Sequence, residues 1–146
     1  MKKIILSLML LIGIGITASA RDTYTHDTNV LPMAARTVLK NNFKGDISVI
    51  KIDKDWGRVS EYEVILTDGT EVTFDRAGNW TDIESSRKSN VPDKMVPQNI
   101  LNWVKKNQKG TKIVGIEKER SGYTIELSNG VEAKFNTSGF FLRYDD

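Results

Sequence analysis

The residue types that carry most enzymatic chemistry are scarce in this chain. Its one histidine is His26, and it has no cysteine. Without Cys there is no thiol nucleophile, no disulfide and no thiolate metal site. A lipoprotein, which needs a Cys at its cleavage point, is excluded as well. One His near the N-terminus offers no Ser–His arrangement elsewhere, and no nucleophile elbow is present. Carboxylates are abundant: Asp53, Asp55, Glu61, Glu63, Asp68, Glu71 and Asp75 lie close together in sequence. Paired acids could transfer protons or hold Ca²⁺. Their spacing is not that of an EF-hand, and Lys and Thr interleave with them as on a solvated sheet face. The sequence therefore predicts no catalytic residue, no metal centre and no cofactor.

The elements that would position any binding site begin after an export signal. Lys2 and Lys3 precede an apolar run from Ile4 to Ile16, and Ala18-Ser19-Ala20 follows as a small-x-small cleavage pattern. The run is shorter than the ~20 residues of a spanning helix. Residues 1–20 thus read as a signal peptide, and the remainder as a periplasmic or secreted protein with no membrane insertion after cleavage. Of the 21 basic residues, Lys2 and Lys3 leave with the signal, so the rest balance the 19 acidic ones. No basic cluster remains for a run of phosphates, which argues against nucleic acid.

The mature chain reads as two copies of one unit, about 65 residues apart. Leu31-Pro32 opens the first copy and Val96-Pro97 the second. Tyr62 to Phe74 matches Tyr123 to Phe135, Gly78 matches Gly139, and Trp80 matches Phe141. Each copy starts with a helix, with Pro32 or Pro97 in its first turn. Leu31, Ala35, Val38, Leu39 and Phe43 form one helical face, echoed by Val96, Ile100, Trp103, Val104 and Gln108. Alternating apolar residues then mark strands. Parity favours three-residue turns at Thr67-Asp68-Gly69 and Ser128-Asn129-Gly130. It pairs Val64 with Val72 and Ile125 with Ala133, and it requires left-handed glycines. The expected fold class is α+β: two tandem α-β-β-β-β repeats forming one curved antiparallel sheet with helices on one face. Boundaries fall at 21–30 for a loose leader, 31–84 for the first repeat, 85–95 for a linker and 96–146 for the second repeat.

The Leu-Pro start, the Tyr62-to-Trp80 core and its echo resemble the PepSY-like family of beta-lactamase-inhibitor-like proteins. The resemblance implies an exported bacterial protein with a fold like the beta-lactamase inhibitor protein. It implies neither inhibition nor a catalytic motif.

Tyr62, Phe74, Trp80, Tyr123, Phe135 and Phe141 recur in both copies and read as core, each worth about 1.5–3 kcal/mol on burial. Parity leaves Ile65, Ile83, Phe140, Leu142 and Tyr144 on the open sheet face. That apolar strip is either a contact surface or is covered by the leader or a second copy. Trp56 stands in a hairpin loop that only the first copy lengthens, a place for a partner anchor or for a ring folded over the sheet edge. Two functions follow. One is a non-enzymatic binding or inhibitor-like module, with the open face and Trp56 meeting an envelope protein or peptide. The other is an envelope sensor of a small ligand or divalent metal, using the acidic face.

Overall fold

The computed structural model describes residues 22–86 and 89–145. The signal peptide expected over residues 1–20 lies outside them. The described residues build a nine-stranded sheet whose strands follow one another in chain order, each antiparallel to its neighbour. The order is β1 (Asp22–Thr25), α1 (Met33–Asn42), β2 (Ile47–Asp55), β3 (Arg58–Leu66), β4 (Glu71–Asp75), β5 (Trp80–Glu84), α2 (Gln98–Asn107), β6 (Ile113–Glu119), β7 (Gly122–Leu127), β8 (Glu132–Asn136) and β9 (Phe141–Asp145). Each α-helix is followed by four strands.

The helices form where the apolar spacing predicts them. Pro32 and Pro97 stand just before the first helical residue rather than within the first turn. Their carbonyls accept from Arg36 N and Ile100 N. Ala35, Leu39, Ile100 and Val104 are buried against one face of the sheet, with Leu31 and Val96 beside them. From the sheet side come Ile50, Val64, Val72, Phe74, Ile116, Ile125 and Phe135, nearly all without solvent contact. Gln108, at the end of the second helical stripe, is polar for a local reason. Its amide donates to the Tyr144 hydroxyl and accepts from Asn129.

The hairpin registers follow the parity argument. Val64 faces Val72, Tyr62 faces Phe74, Ile125 faces Ala133 and Tyr123 faces Phe135. Gly69 and Gly130 have φ of 87° and 84°. The N–H of each donates back to Leu66 O or Leu127 O, closing the turn.

Four expectations need correction. Residues 21–30 are not a loose leader where the structure describes them. Asp22–Thr25 pairs with β2 as the outermost strand, and a 3-10 turn covers Thr28–Val30. His26 helps to hold this segment, its Nδ1 donating to Ser48 O at 2.7 Å. The expected 85–95 linker is, in its described residues, bound to the sheet: Ser85 N donates to Val114 O and Val91 N to Ile113 O. β5 pairs directly with β6, and Val91 and Met95 lie in the core. The loop at Trp56 is not long: Asp55 pairs with Arg58 across a two-residue turn. The extra length is in strands β2 and β3, which carry a register shift at Asp53/Lys54.

The fourth correction concerns Ile83 and Tyr144. After Trp80, and again after Phe141, one extra residue is inserted opposite the neighbouring strand. Phe74 faces Trp80 but Thr73 faces Asp82, and Phe135 faces Phe141 but Lys134 faces Arg143. Such a bulge reverses the alternation beyond it. Ile83 therefore faces Val72 in the core and is fully buried. Tyr144 faces Ala133 on the helix side, where its ring lies 5.1 Å from Phe141 and 5.9 Å from Trp103. Neither belongs to the open face.

Candidate functional site

The face of the sheet away from the helices is a broad surface that the core does not use. Directly paired residues share a face, so two rows can be traced across it. One runs Lys51, Glu63, Thr73, Asp82, Glu117, Thr124, Lys134, Arg143. The other runs Val49, Ile65, Glu71, Glu84, Gly115, Glu126, Glu132, Asp145. The middle of both rows is acidic; the cations Lys51, Lys134 and Arg143 stand toward the ends of the first row, and the second row has none.

Several carboxylates in these rows face each other directly: Glu71 and Glu84, Asp82 and Glu117, Glu126 and Glu132. Like charges at opposed positions destabilise a sheet. The protonation equilibria carry that cost. Burial, reinforced by Glu117 and Glu84, pushes the Asp82 carboxyl up to about 7. Burial and the neighbours Glu63 and Glu84 raise Glu71, and burial with Glu126 and Glu63 raises Glu84. At the β2 end Lys51 offsets the charge only in part: Asp53 still raises the Asp22 carboxyl, and burial together with Asp53 raises Glu61. Lys51 Nζ lies 3.2 Å from Asp53, 3.7 Å from Glu63 and 3.7 Å from Asp22. At the far end Lys134 pairs with Asp145 at 3.3 Å. Gly115 puts no side chain between Glu84 and Glu126, and the Glu126 side chain lies against it.

Among the described residues no group of three or more His, Cys, Asp or Glu is spaced to hold a metal ion. The acidic face is a field of separate carboxylates, not a preformed cage.

Of the residues singled out from sequence, Ile65 lies on this face beside Val49, half-buried. Phe140 and Leu142 are exposed, at 61% and 59%. Phe140 ends the turn before β9, and Leu142 is the inserted residue of its bulge. Trp56 is fully exposed at the tip of the β2–β3 hairpin. Its φ is 51°, followed by 78° at Gly57, which is the type I′ geometry. A bulky residue is strained there, and Asn or Gly is the usual occupant. Trp56→Asn should therefore stabilise the fold by about 0.5–1 kcal/mol. A urea midpoint unchanged or lowered in Trp56→Asn would show that the left-handed backbone at Trp56 carries no such cost.

Sequence reasoning missed Asp82, Glu84, Glu117 and Glu126. Their convergence depends on the β5–β6 pairing, which joins strands separated by a helix. The signal that could have found Asp82 is the three-residue spacing of Trp80 and Ile83, repeated by Phe141 and Tyr144. Two core residues an odd number apart in a strand imply a bulge between them.

Comparison with known proteins agrees with this architecture. A crystal structure described as a "putative periplasmic protein of unknown function" from Bacteroides vulgatus is 39% identical, with a TM-score of 0.80 over 86% of this chain and 99% of that one. A "putative calcium-regulated periplasmic protein" from Bacteroides thetaiotaomicron is 28% identical, with a TM-score of 0.78 over 86% of this chain and 97% of that one. A second Bacteroides vulgatus structure, described as a "putative periplasmic protein from DUF2874 family", is 32% identical, with a TM-score of 0.78 over 88% of this chain and 100% of that one. No curated protein matches. Among the described residues no helix is long and apolar enough to cross a membrane. The family described as "Putative beta-lactamase-inhibitor-like, PepSY-like" matches residues 60–143. With more than half of its length matched and relatives of the same fold, the chain belongs to the PepSY-like family.

Proposed function

We propose that this is an exported, non-enzymatic binding module whose open sheet face meets a positively charged segment of an envelope protein or peptide. The carrying observation is the acidic centre of that face, where carboxylates oppose one another and Asp82 is held near neutral pH. A Lys- or Arg-bearing partner would relieve the repulsion that the free protein carries. Ile65, Phe140 and Leu142 would add apolar contact around the charge, and Trp56 would anchor the hairpin end. Export fits relatives described as periplasmic and the signal-like residues 1–20. The two α-β-β-β-β halves are read as copies of one unit, arranged as in the beta-lactamase inhibitor protein, which would give the acidic face its width.

Calorimetric titration with a lysine-rich peptide tests this reading. Binding should weaken as salt rises and drop by about tenfold in Glu84→Gln/Glu126→Gln, the loss expected for about 1.4 kcal/mol. Equal binding of a glutamate-rich peptide would end the proposal.

A divalent cation is the second reading, favoured by the relative described as calcium-regulated. Carboxylates are the ligands Ca²⁺ prefers. Here they would have to swing together from separate strands. Calorimetry with Ca²⁺ decides this, and no heat at millimolar ion removes the reading.

A further inference from the structure

β5 and β9 occupy equivalent places after equivalent hairpins. Phe74/Trp80, Thr73/Asp82 and Val72/Ile83 pair as Phe135/Phe141, Lys134/Arg143 and Ala133/Tyr144 do, with the same bulge. Their outer edges differ. β5 is covered by β6, with Asp82 facing Glu117, Ile83 facing Ile116 and Glu84 facing Gly115. β9 ends the sheet order. The consequence is visible in burial: Ile83 is 0% exposed, whereas Tyr144 in the matching position is 49% exposed.

The bulge does not protect this edge from pairing, because β5 has the same bulge and is paired. The charge is inverted as well. Where β5 carries Asp82, β9 carries Arg143, which already faces the cation Lys134 on its inner side. No ion pair reaches Arg143 among the described residues. Beside Tyr144, the rings of Trp103 and Phe141 stack at 4.6 Å and continue the core layer to the open edge.

We infer that the outer edge of β9 accepts an extended strand from a partner protein, with an acidic side chain opposite Arg143 and an apolar one opposite Tyr144. Strand addition of this kind draws affinity from backbone hydrogen bonds and specificity from alternate side chains. The first half shows what such a strand looks like. β6 places Ile116 where the apolar residue is needed and Glu117 where the acidic one is needed. On β5 that glutamate meets Asp82, but on β9 it would meet Arg143. Arg143 ends one row of the open face, four strands from Asp82 on β5, and the occupant of this edge has the opposite charge to that of the acidic centre.

The free peptide Lys112–Glu119, fluorescently labelled and capped, is therefore a ready probe. Anisotropy titration of the folded protein should give saturable binding, weakened about tenfold by Arg143→Glu. A peptide with lysine in place of Glu117 should restore binding to Arg143→Glu and bind the original protein poorly. Methylating the peptide's backbone nitrogens should abolish binding. Arg143 is exposed, so a circular dichroism melt of the variant should match the parent. Failure to saturate, binding indifferent to the charge swap, or self-association of the protein through this edge in light scattering would each overturn the assignment.

Discussion

Asp82→Asn should make the protein markedly more stable at pH 8 and leave it nearly unchanged at pH 4. The folded carboxyl is held near pH 7, whereas in the unfolded chain it titrates near 4. The folded state therefore binds this proton more tightly. Between about pH 4 and 7 the folded state retains a proton that the unfolded chain has lost, so stability falls as pH rises through that window. Above about 7 the whole cost is present. Three units correspond to about 4 kcal/mol as a ceiling. Asparagine removes the charge with little change of shape, so most of that cost should disappear, raising Tm by on the order of 10 °C. Thermal melts of both proteins across pH 4 to 8 check this. Parallel curves would mean that Asp82 is not a source of strain in the acidic face. A protein that carries such a cost at a surface has a reason to, and a cationic partner supplies one.

The second large effect lies in the core behind this face. Phe74 is fully buried, pairs with Tyr62 on one side and Trp80 on the other, and shares the buried cluster with Ala35 and Leu39 of α1. Phe74→Ala should cost about 3–5 kcal/mol, the loss of its burial plus the cavity left behind. Phe135→Ala, at the matching place below Trp103, should cost about as much. Tyr144→Ala should cost far less, because half of its side chain is already in water. Urea unfolding of the three variants ranks them. A Tyr144 variant as damaged as the phenylalanine variants would mean that the β9 edge is closed core and would remove the space for an added strand.

The contrast between Ile83 and Tyr144 also shows what a sequence can and cannot convey about this fold. Turn chemistry was readable because it is local. Thr67-Asp68-Gly69 and Ser128-Asn129-Gly130 each admit only one register that keeps large apolar groups together, and the structure adopts it. The helical stripes were readable for the same reason, down to the change from Phe43 to Gln108. The bulges after Trp80 and Phe141 were not, because one inserted residue leaves composition and hydropathy unchanged while reversing every side chain beyond it. That single shift moved Ile83 and Tyr144 off the open face and put Asp82 onto it. β1 was hidden differently. Asp22-Thr23-Tyr24-Thr25 has no apolar alternation, and it is a strand because β2 offers it an edge and Lys51 ties down Asp22. The acidic face was partly legible, since Glu61, Glu63 and Glu71 alternate with core residues. Its centre, where β5 meets β6, depends on a pairing between residues far apart in sequence.

The most direct test of the acidic face is a residue-resolved NMR titration of the ¹⁵N-labelled protein with a lysine-rich peptide. Shifts should concentrate at Glu71, Asp82, Glu84, Gly115 and Glu126, with Asp82 titrating at lower pH once the peptide is bound. Shifts confined to the helices or to the β9 edge, or no change in the titration of Asp82, would contradict it.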